Sequence, residues 1–562
     1  MLSVYAEDNN TYTPIFEGDT VINEWKFDFG SGENVKDGYT SVTPDRNVIT
    51  SKDYGFIGND GNGYLVSPRY DSFAYQEGQT MNLVAGGTEE NDAIGIEAQG
   101  DPQSQQRDYT TGEYYPVSFG MYVEPGSYYR VRATVTTLDP EKPAKASLYY
   151  ERRHPVFNQK TIDAGQTYTV EFSVDVENIY FEKSDPKGVF TDDMLNISLL
   201  GENAALESLD IQQIDESKGT ATTLWVLGDS TVTDGDASVP YFDLQNYTGV
   251  GAYLSKYVPA NVAVSNHGEG GLNANDNNHF NMVKDNIKKG DYLYVEYGHN
   301  HKNNSTQSYS GEYWLHNYLS CLPKYYDACE AVGATLIVVG PFDRHNTSQY
   351  DSETNTWSST LGSFSDIGMK YVDCMLYGGK DTANSFIAKW AEIANAAEAK
   401  QDTTELKAEA DAIWSTAKAG EPNGVTNIGF VDLNAPSLTW LSSVTASGTI
   451  LGVEYTNYQP LSNFYFTTPR AGGTDGTHTN DAGADAMAYN FFSTADSEAY
   501  PALKPLLANF EEGAEHQNAV PVSAEVINEG CPSLIYWPYY QKLIEYDYAA
   551  YIKSVKKYRK GV

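Results

Sequence analysis

The sequence is poor in cysteine and in basic residues, and it contains no long apolar run. Its 4 cysteines among 562 residues stand singly, which excludes a disulfide framework and a Cys-x-x-Cys metal site. Lysine and arginine number 37 against 76 aspartate and glutamate, and the net charge of −39 argues against a nucleic acid partner. No apolar stretch approaches the roughly 18 residues of a membrane span, so no span is predicted. The sequence does have 44 tyrosines and 40% hydrophobic residues, which is typical of a globular chain.

Residues 21–215 have the pattern of antiparallel strands. In two runs apolar residues occupy every second position, and a glycine-containing turn dipeptide precedes each run. The alternating sets are Tyr129, Val131, Ala133 and Val135 in the first run and Tyr168, Val170, Phe172, Val174 and Val176 in the second. Such alternation is typical of strands with one buried and one solvent-facing side. We therefore predict an N-terminal antiparallel β-sandwich.

Between residues 220 and 500, short apolar runs alternate with helix-length segments. The runs are LWVL (224–227), VAVS (262–265), YLYVEY (292–297), TLIVV (335–339) and GFVDL (429–433). This pattern predicts an α/β domain with a parallel sheet covered on both faces, and hence a multidomain protein. Residues 384–419 are predicted to be an inserted helical hairpin, and residues 501–562 a C-terminal extension that ends in a docking helix.

Polar residues stand directly after several of these runs, where ligands of parallel sheets bind. Ser230 follows the first run, Gly271 the second and Asn300 the third, while Asp475 lies three residues before His478. A serine on a strand-to-helix turn suits a nucleophile, and a histidine oriented by an aspartate suits its general base. Glycine turns and asparagine amides supply oxyanion donors. Each feature alone also fits a turn or a helix cap, but their succession at strand ends favours a catalytic site.

In this order, these five residues resemble the conserved blocks of the SGNH (GDSL-type) hydrolase superfamily. The segments LWVLGDSTVTD, VEYGHN and DGTHTNDAGADAMA are most similar to the rhamnogalacturonan acetylesterase family of carbohydrate esterases. The motifs cover about residues 220–495. The resemblance implies a three-layer, flavodoxin-like α/β domain. The pattern of residues 21–215 also resembles the galactose-binding-like domain that precedes the esterase in some members.

The resemblance implies hydrolysis of acetyl esters on plant cell-wall polysaccharide through an acyl-enzyme, with no cofactor and no metal. Ser230 would be the nucleophile, His478 the base and Asp475 its orienting acid. Ser230, Gly271 and Asn300 would form the oxyanion hole. His299 and Arg344 are expected to contact the substrate.

Rhamnogalacturonan is the favoured substrate, although the sequence departs from the family pattern at two places. Gly271-Leu272-Asn273 stands where the family commonly has Gly-Arg-Ser, and His301 follows Asn300 where the family often has aspartate. Acetylxylan or another glycan therefore stays open as a substrate. A non-catalytic carbohydrate-binding protein and an esterase of small or lipid esters are further alternatives.

Two minor signals complete the predictions. Asp276 and His279 form a second Asp-x-x-His, in an asparagine-rich loop, and we prefer Asp475 and His478 as the catalytic pair. Residues 1–20 are interpreted as a leader whose start, MLSVYAED, resembles the tail of a secretory signal peptide; an ordinary N-terminus is the alternative. Because a polymer substrate cannot enter a cell, we expect a secreted protein.

Overall fold

The structure of the protein is a computed structural model. It describes residues 12–57, 83–96, 117–151, 154–182, 187–234, 248–301, 309–345, 349–445, 448–450, 453–455, 465–468, 473–479 and 481–512. The predicted leader and docking helix lie largely outside these ranges. None of the helices within them is both long and apolar enough to cross a membrane.

Among the described residues of the N-terminal part, the regular secondary structure consists almost entirely of β-strands. These are β1 (Val21–Phe29), β2 (Thr40–Val42), β3 (Tyr54–Phe56), β4 (Leu83–Gly87), β5 (Asp92–Ile96), β6 (Val117–Tyr122), β7 (Ser127–Thr137), β8 (Ala144–Tyr150), β9 (His154–Ile162), β10 (Thr167–Val176), β11 (Ile179–Phe181), β12 (Gly188–Phe190), β13 (Met194–Glu202) and β14 (Ala204–Ile214), with one short helix, α1 (Val48–Ser51). One sheet has the order β10–β7–β14–β1–β2, with β5 also beside β14 and β4 beside β5. A second sheet has the order β3–β6–β13–β8–β9, and β11 pairs with β12.

The two sheets share one hydrophobic core. Val131 and Val174 of the first sheet pack in the same buried cluster as Phe119, Leu148 and Ile197 of the second. Both predicted alternating sets point into this cluster, Tyr168 being only partly buried at its border. All neighbouring strands of these sheets run antiparallel except β1 and β2. We call residues 21–214 the two-sheet unit.

The second part combines strands and helices. Its strands are β15 (Thr222–Gly228), β16 (Val262–Asn266), β17 (Tyr292–Glu296), β18 (Thr335–Gly340), β19 (Tyr350–Asp351), β20 (Thr356–Trp357), β21 (Ile428–Asp432), β22 (Gly448–Ile450), β23 (Val453–Tyr455), β24 (Tyr465–Thr468) and β25 (Gly473–Thr479). Its α-helices are α2 (Val250–Tyr253), α3 (Asn278–Asn286), α4 (Gly311–Leu319), α5 (Leu322–Val332), α6 (Gly362–Asp373), α7 (Gly379–Glu398), α8 (Thr404–Lys418), α9 (Asn434–Thr445), α10 (Asp481–Thr494) and α11 (Lys504–Glu512). Short 3-10 turns lie at Glu216–Lys218, Leu254–Lys256 and Pro501–Leu503, and a π-helical turn at Cys374–Gly378.

Five of these strands form a parallel sheet in the order β16–β15–β17–β18–β21. Each coincides with one of the five apolar runs, although β17 and β21 end one residue before their runs do. Nearly all the residues of these strands are buried, as expected for a sheet covered on both faces. The predicted hairpin is present as α7 and α8, although α7 begins at Gly379 rather than at 384. The start of the C-terminal extension packs against the parallel sheet, because Leu503, Leu506 and Leu507 belong to the buried cluster that contains its strand residues.

The two-sheet unit packs on the α/β part through the outer face of β7 and β10. Arg130 is only 1% exposed, and its guanidinium donates to Asp19 at 2.7 Å, to Ser173 at 2.6 Å and to the carbonyl of Asn261 at 2.8 Å. Asp175, on the same face of β10, accepts a hydrogen bond from Thr223 of β15 at 2.6 Å. The alternation predicted that this polar face meets solvent. The part of this face formed by Arg130, Ser173 and Asp175 is buried instead, and the α/β part supplies hydrogen-bond partners there. Thr169 on the same face of β10 stays exposed.

Candidate active site

Ser230 lies in a tight turn directly after β15, the strand that has β16 on one side and β17 on the other. A Cβ atom at Gly228 would stand 2.5 Å from the Val232 side chain, so the turn requires glycine there. Asp229 fixes the turn by accepting hydrogen bonds from the backbone N–H of Thr231 at 3.0 Å and from its hydroxyl at 2.9 Å. Burial raises the pKa of this carboxyl above its usual value. We call residues 228–234 the serine turn.

The imidazole of His478 reaches the serine from β25. His478 Nε2 lies 2.9 Å from Ser230 Oγ, although 248 residues separate the two along the chain. The strand is held on one side by Thr248, whose N–H donates to the carbonyl of Thr479 at 3.0 Å, and on the other by His345, whose N–H donates to that of Gly476 at 3.0 Å. The Ser–His separation is in the range expected of a nucleophile and its general base. Asp475 belongs to the same strand, but its side chain lies outside the described residues, so its orienting role stays a prediction.

The predicted oxyanion donors follow the two strands beside β15. Gly271 ends the turn after β16 and adopts a φ of +81°, in the left-handed region that favours glycine. Asn300 follows β17, and its amide donates to the carbonyl of Leu272 at 2.8 Å, which joins the two loops. An amide nitrogen carries two hydrogens, so this contact leaves a second one for the predicted oxyanion role. We call residues 266–271 the glycine turn.

His299 and Arg344, the two predicted substrate contacts, bind each other. Arg344 Nε donates to His299 Nδ1 at 3.0 Å, and Arg344 Nη2 donates to the His299 carbonyl at 3.3 Å. The imidazole is buried and the guanidinium half-buried. These hydrogen bonds hold the loop that carries Asn300 against Arg344. Direct contact with the substrate stays a prediction for both residues.

Two buried ionisable groups lie close to Asn300 in the sequence, Glu296 at the end of β17 and His301 in the loop that follows. Tyr294 donates a hydrogen bond to Glu296, and burial raises the pKa of Glu296 to about 8. Burial lowers the pKa of His301 to about 3, and its ring packs near Tyr318 and Phe364. At neutral pH Glu296 is therefore mostly protonated and His301 neutral, which limits the charge buried on either side of Asn300.

The competing pair Asp276 and His279 serves another purpose. His279 Nδ1 lies 3.1 Å from Asp276, and its Nε2 lies 3.2 Å from Glu269 of the glycine turn. These carboxylates outweigh burial and raise the pKa of His279 to about 9. His279 is therefore an imidazolium that joins two carboxylates, while the contact with Ser230 is made by His478.

Sequence reasoning missed three residues around the site. Asp234, at the end of the serine turn, binds His154 of the two-sheet unit, and Glu269 in the glycine turn binds a backbone N–H of the same unit. Asp234 was visible as the last residue of LWVLGDSTVTD, but no pattern in the sequence pointed to His154.

Comparison with known proteins returned matches among solved structures alone. No protein-family model matches the chain, and no curated protein matches it. The YxiM protein of Bacillus subtilis aligns with a TM-score of 0.33 and 19% identity over 88% of this chain and 100% of that chain. A variant of Axe2, an acetyl xylan esterase from Geobacillus stearothermophilus, aligns with a TM-score of 0.23 and 15% identity over 49% of this chain and 95% of that one. At these TM-scores neither likeness bears on the chemistry of this chain.

Proposed function

We propose that this chain is a serine esterase of the SGNH type that removes acetyl groups from plant cell-wall polysaccharide. The observation that carries the proposal is the 2.9 Å contact between Ser230 Oγ and His478 Nε2 at the carboxyl edge of a parallel sheet. A serine and a histidine from remote parts of the chain meet there, on a turn built around a glycine. The resemblance of their sequence blocks to SGNH esterases supports the same reaction.

In the proposed mechanism, Ser230 Oγ attacks the acetyl carbonyl while His478 takes its proton. The negative charge that forms on the carbonyl oxygen is stabilised by the N–H groups of Ser230 and Gly271 and by the amide of Asn300. His478 then returns the proton to the sugar hydroxyl that leaves. A water molecule, deprotonated by the same histidine, releases acetate from the acyl-enzyme. Asp475 is proposed to hold the imidazole during both steps.

The domain assignment is part of the proposal. Residues 21–215 would be the galactose-binding-like β-sandwich, 220–500 the flavodoxin-like SGNH domain with the insertion 384–419, and 501–562 an extension. The shared core of the two sheets and the strand order β16–β15–β17–β18–β21 support this division. The protein is proposed to be secreted and to act on an acetylated polysaccharide or oligosaccharide.

Acetate release from a panel of acetylated polymers tests the proposal. Incubation with acetylated rhamnogalacturonan and acetylated xylan is expected to release acetate, faster from the former. Enzymatic assay of free acetate measures the rates, and the Ser230→Ala variant gives the background. Faster release from xylan would change the substrate and leave the mechanism standing. If neither polymer nor 4-nitrophenyl acetate is hydrolysed, the proposed function is wrong.

A further inference from the structure

The two-sheet unit places one histidine against the serine turn. His154, the first residue of β9, is 1% exposed, and its Nε2 lies 2.9 Å from Asp234 Oδ1. The ring of Tyr150 packs edge-on against it, with 5.2 Å between ring centroids. The next residue, Pro155, accepts a hydrogen bond on its carbonyl from the Ser255 hydroxyl at 2.9 Å. The beginning of β9 is therefore docked firmly on the α/β part.

Through Asn266, Asp234 connects His154 with both the serine turn and the glycine turn. Its Oδ1 also accepts a hydrogen bond from Asn266 Nδ2 at 2.5 Å. The same amide nitrogen donates to the carbonyl of Val232 in the serine turn at 2.9 Å, and Asn266 Oδ1 accepts from the N–H of Gly268 in the glycine turn at 2.9 Å. One buried network thus connects the two-sheet unit with the turns that carry Ser230 and Gly271.

A second contact reaches the glycine turn. The backbone N–H of Glu182, which follows β11, donates to Glu269 Oε2 at 2.7 Å. The N–H of Glu269 in turn donates to the carbonyl of Gly228 at 3.3 Å. Each catalytic turn is therefore bound directly by the two-sheet unit.

We propose that the two-sheet unit is a positioning element of the active site and that His154 is its principal positioning residue. The inference rests on the proposed function and extends it to a part of the chain that touches no reacting atom. Asp234 is buried, so its carboxylate needs the donors that His154 and Asn266 supply. Without His154, the carboxylate and Asn266 rearrange, and the N–H of Ser230 shifts from its place. Small displacements of this kind are costly because catalysis depends on near-attack geometry.

The test compares His154→Leu with His154→Gln, with Thr161→Ala as the matched control. Leucine fills the space but donates nothing, whereas the glutamine amide nitrogen replaces the Nε2 donor. Thr161 lies exposed on the same strand. With 4-nitrophenyl acetate, we expect His154→Leu to lower kcat about 10- to 100-fold at nearly unchanged KM. His154→Gln should recover most of kcat, and Thr161→Ala should equal the wild type.

Hydrogen–deuterium exchange separates the two proposals. In His154→Leu, exchange should accelerate in peptides that cover the serine turn, while His154→Gln and Thr161→Ala exchange like the wild type. A wild type without esterase activity would refute the proposed function, and the exchange experiment would still decide the role of His154. The inference is refuted if His154→Leu matches the wild type in kcat and exchange. It is refuted as well if the leucine and glutamine variants lose activity equally, in step with their melting temperatures.

Discussion

Replacing Ser230 with alanine is expected to lower kcat for acetyl esters by about 10⁶-fold and to leave the fold intact. The hydroxyl is the proposed nucleophile, and Ser230 is itself half-buried at the surface of its turn, so its loss removes the reaction without opening a cavity in the core. Initial rates with 4-nitrophenyl acetate and a melting curve measure the two effects. Ser320→Ala, at an exposed serine that ends α4, is the matched control and should behave like the wild type.

His478 is the proposed general base of the same reaction. His478→Ala should lose about as much activity as Ser230→Ala, and the double variant should be no worse than either single variant, because nucleophile and base act as a unit. Additive losses would mean that the 2.9 Å contact between them is not used in catalysis. His279→Ala leaves the contact between Ser230 and His478 in place and should retain most of the activity. If a folded His279→Ala variant lost all activity while His478→Ala stayed active, Asp276 and His279 would be the catalytic pair instead.

Replacing Arg130 with alanine is expected to lower the free energy of unfolding by about 3–5 kcal/mol. Its partner Asp19 is also only 1% exposed, so the substitution leaves a carboxylate buried without its cation. It also removes donors from the backbone carbonyls of Asn261 and Thr220, between the two-sheet unit and the α/β part. Denaturant unfolding at neutral pH measures the change.

Arg132 offers a matched control on the same strand and the same face. Its side chain is 39% exposed and pairs with Glu171 and Asp210, so Arg132→Ala should cost about 1 kcal/mol or less. If Arg130→Ala lowered the free energy of unfolding no more than Arg132→Ala, the contacts of Arg130 between the two-sheet unit and the α/β part would not stabilise the protein. A large loss for Arg130 alone would show that the two-sheet unit is integral to the folded protein.

The sequence predicted the parts of the fold that depend on local pattern. Continuous apolar runs marked the five parallel strands, since such strands are buried on both faces. Alternation marked β7 and β10 and the side chains that enter the shared core. Topology also explains why the loops with Ser230, Gly271 and Asn300 lie together, because residues after neighbouring parallel strands gather at one edge of the sheet. His478 lies on β25, outside that sheet, and its meeting with Ser230 was predicted from the Asp-x-x-His spacing and the family resemblance.

What the sequence did not predict are the contacts between the two units. The alternation predicted that the polar side of β7 and β10 faces solvent. A period of two identifies a polar face, but it does not show whether another domain covers that face. Arg130 and Asp175 look like surface residues in the sequence and are buried in the structure. His154 likewise lies 80 residues from Asp234 along the chain. Such pairings depend on how two folded units dock, and a local sequence pattern does not predict that.

An acyl-enzyme at Ser230 can be detected by trapping that intermediate. The wild type is mixed briefly with 4-nitrophenyl acetate, quenched with acid, digested and examined by mass spectrometry. We expect one acetyl group on the peptide that contains Ser230 and none on the same peptide of Ser230→Ala. An active enzyme whose acetyl group is found on another residue, or whose turnover persists in Ser230→Ala, would contradict this expectation.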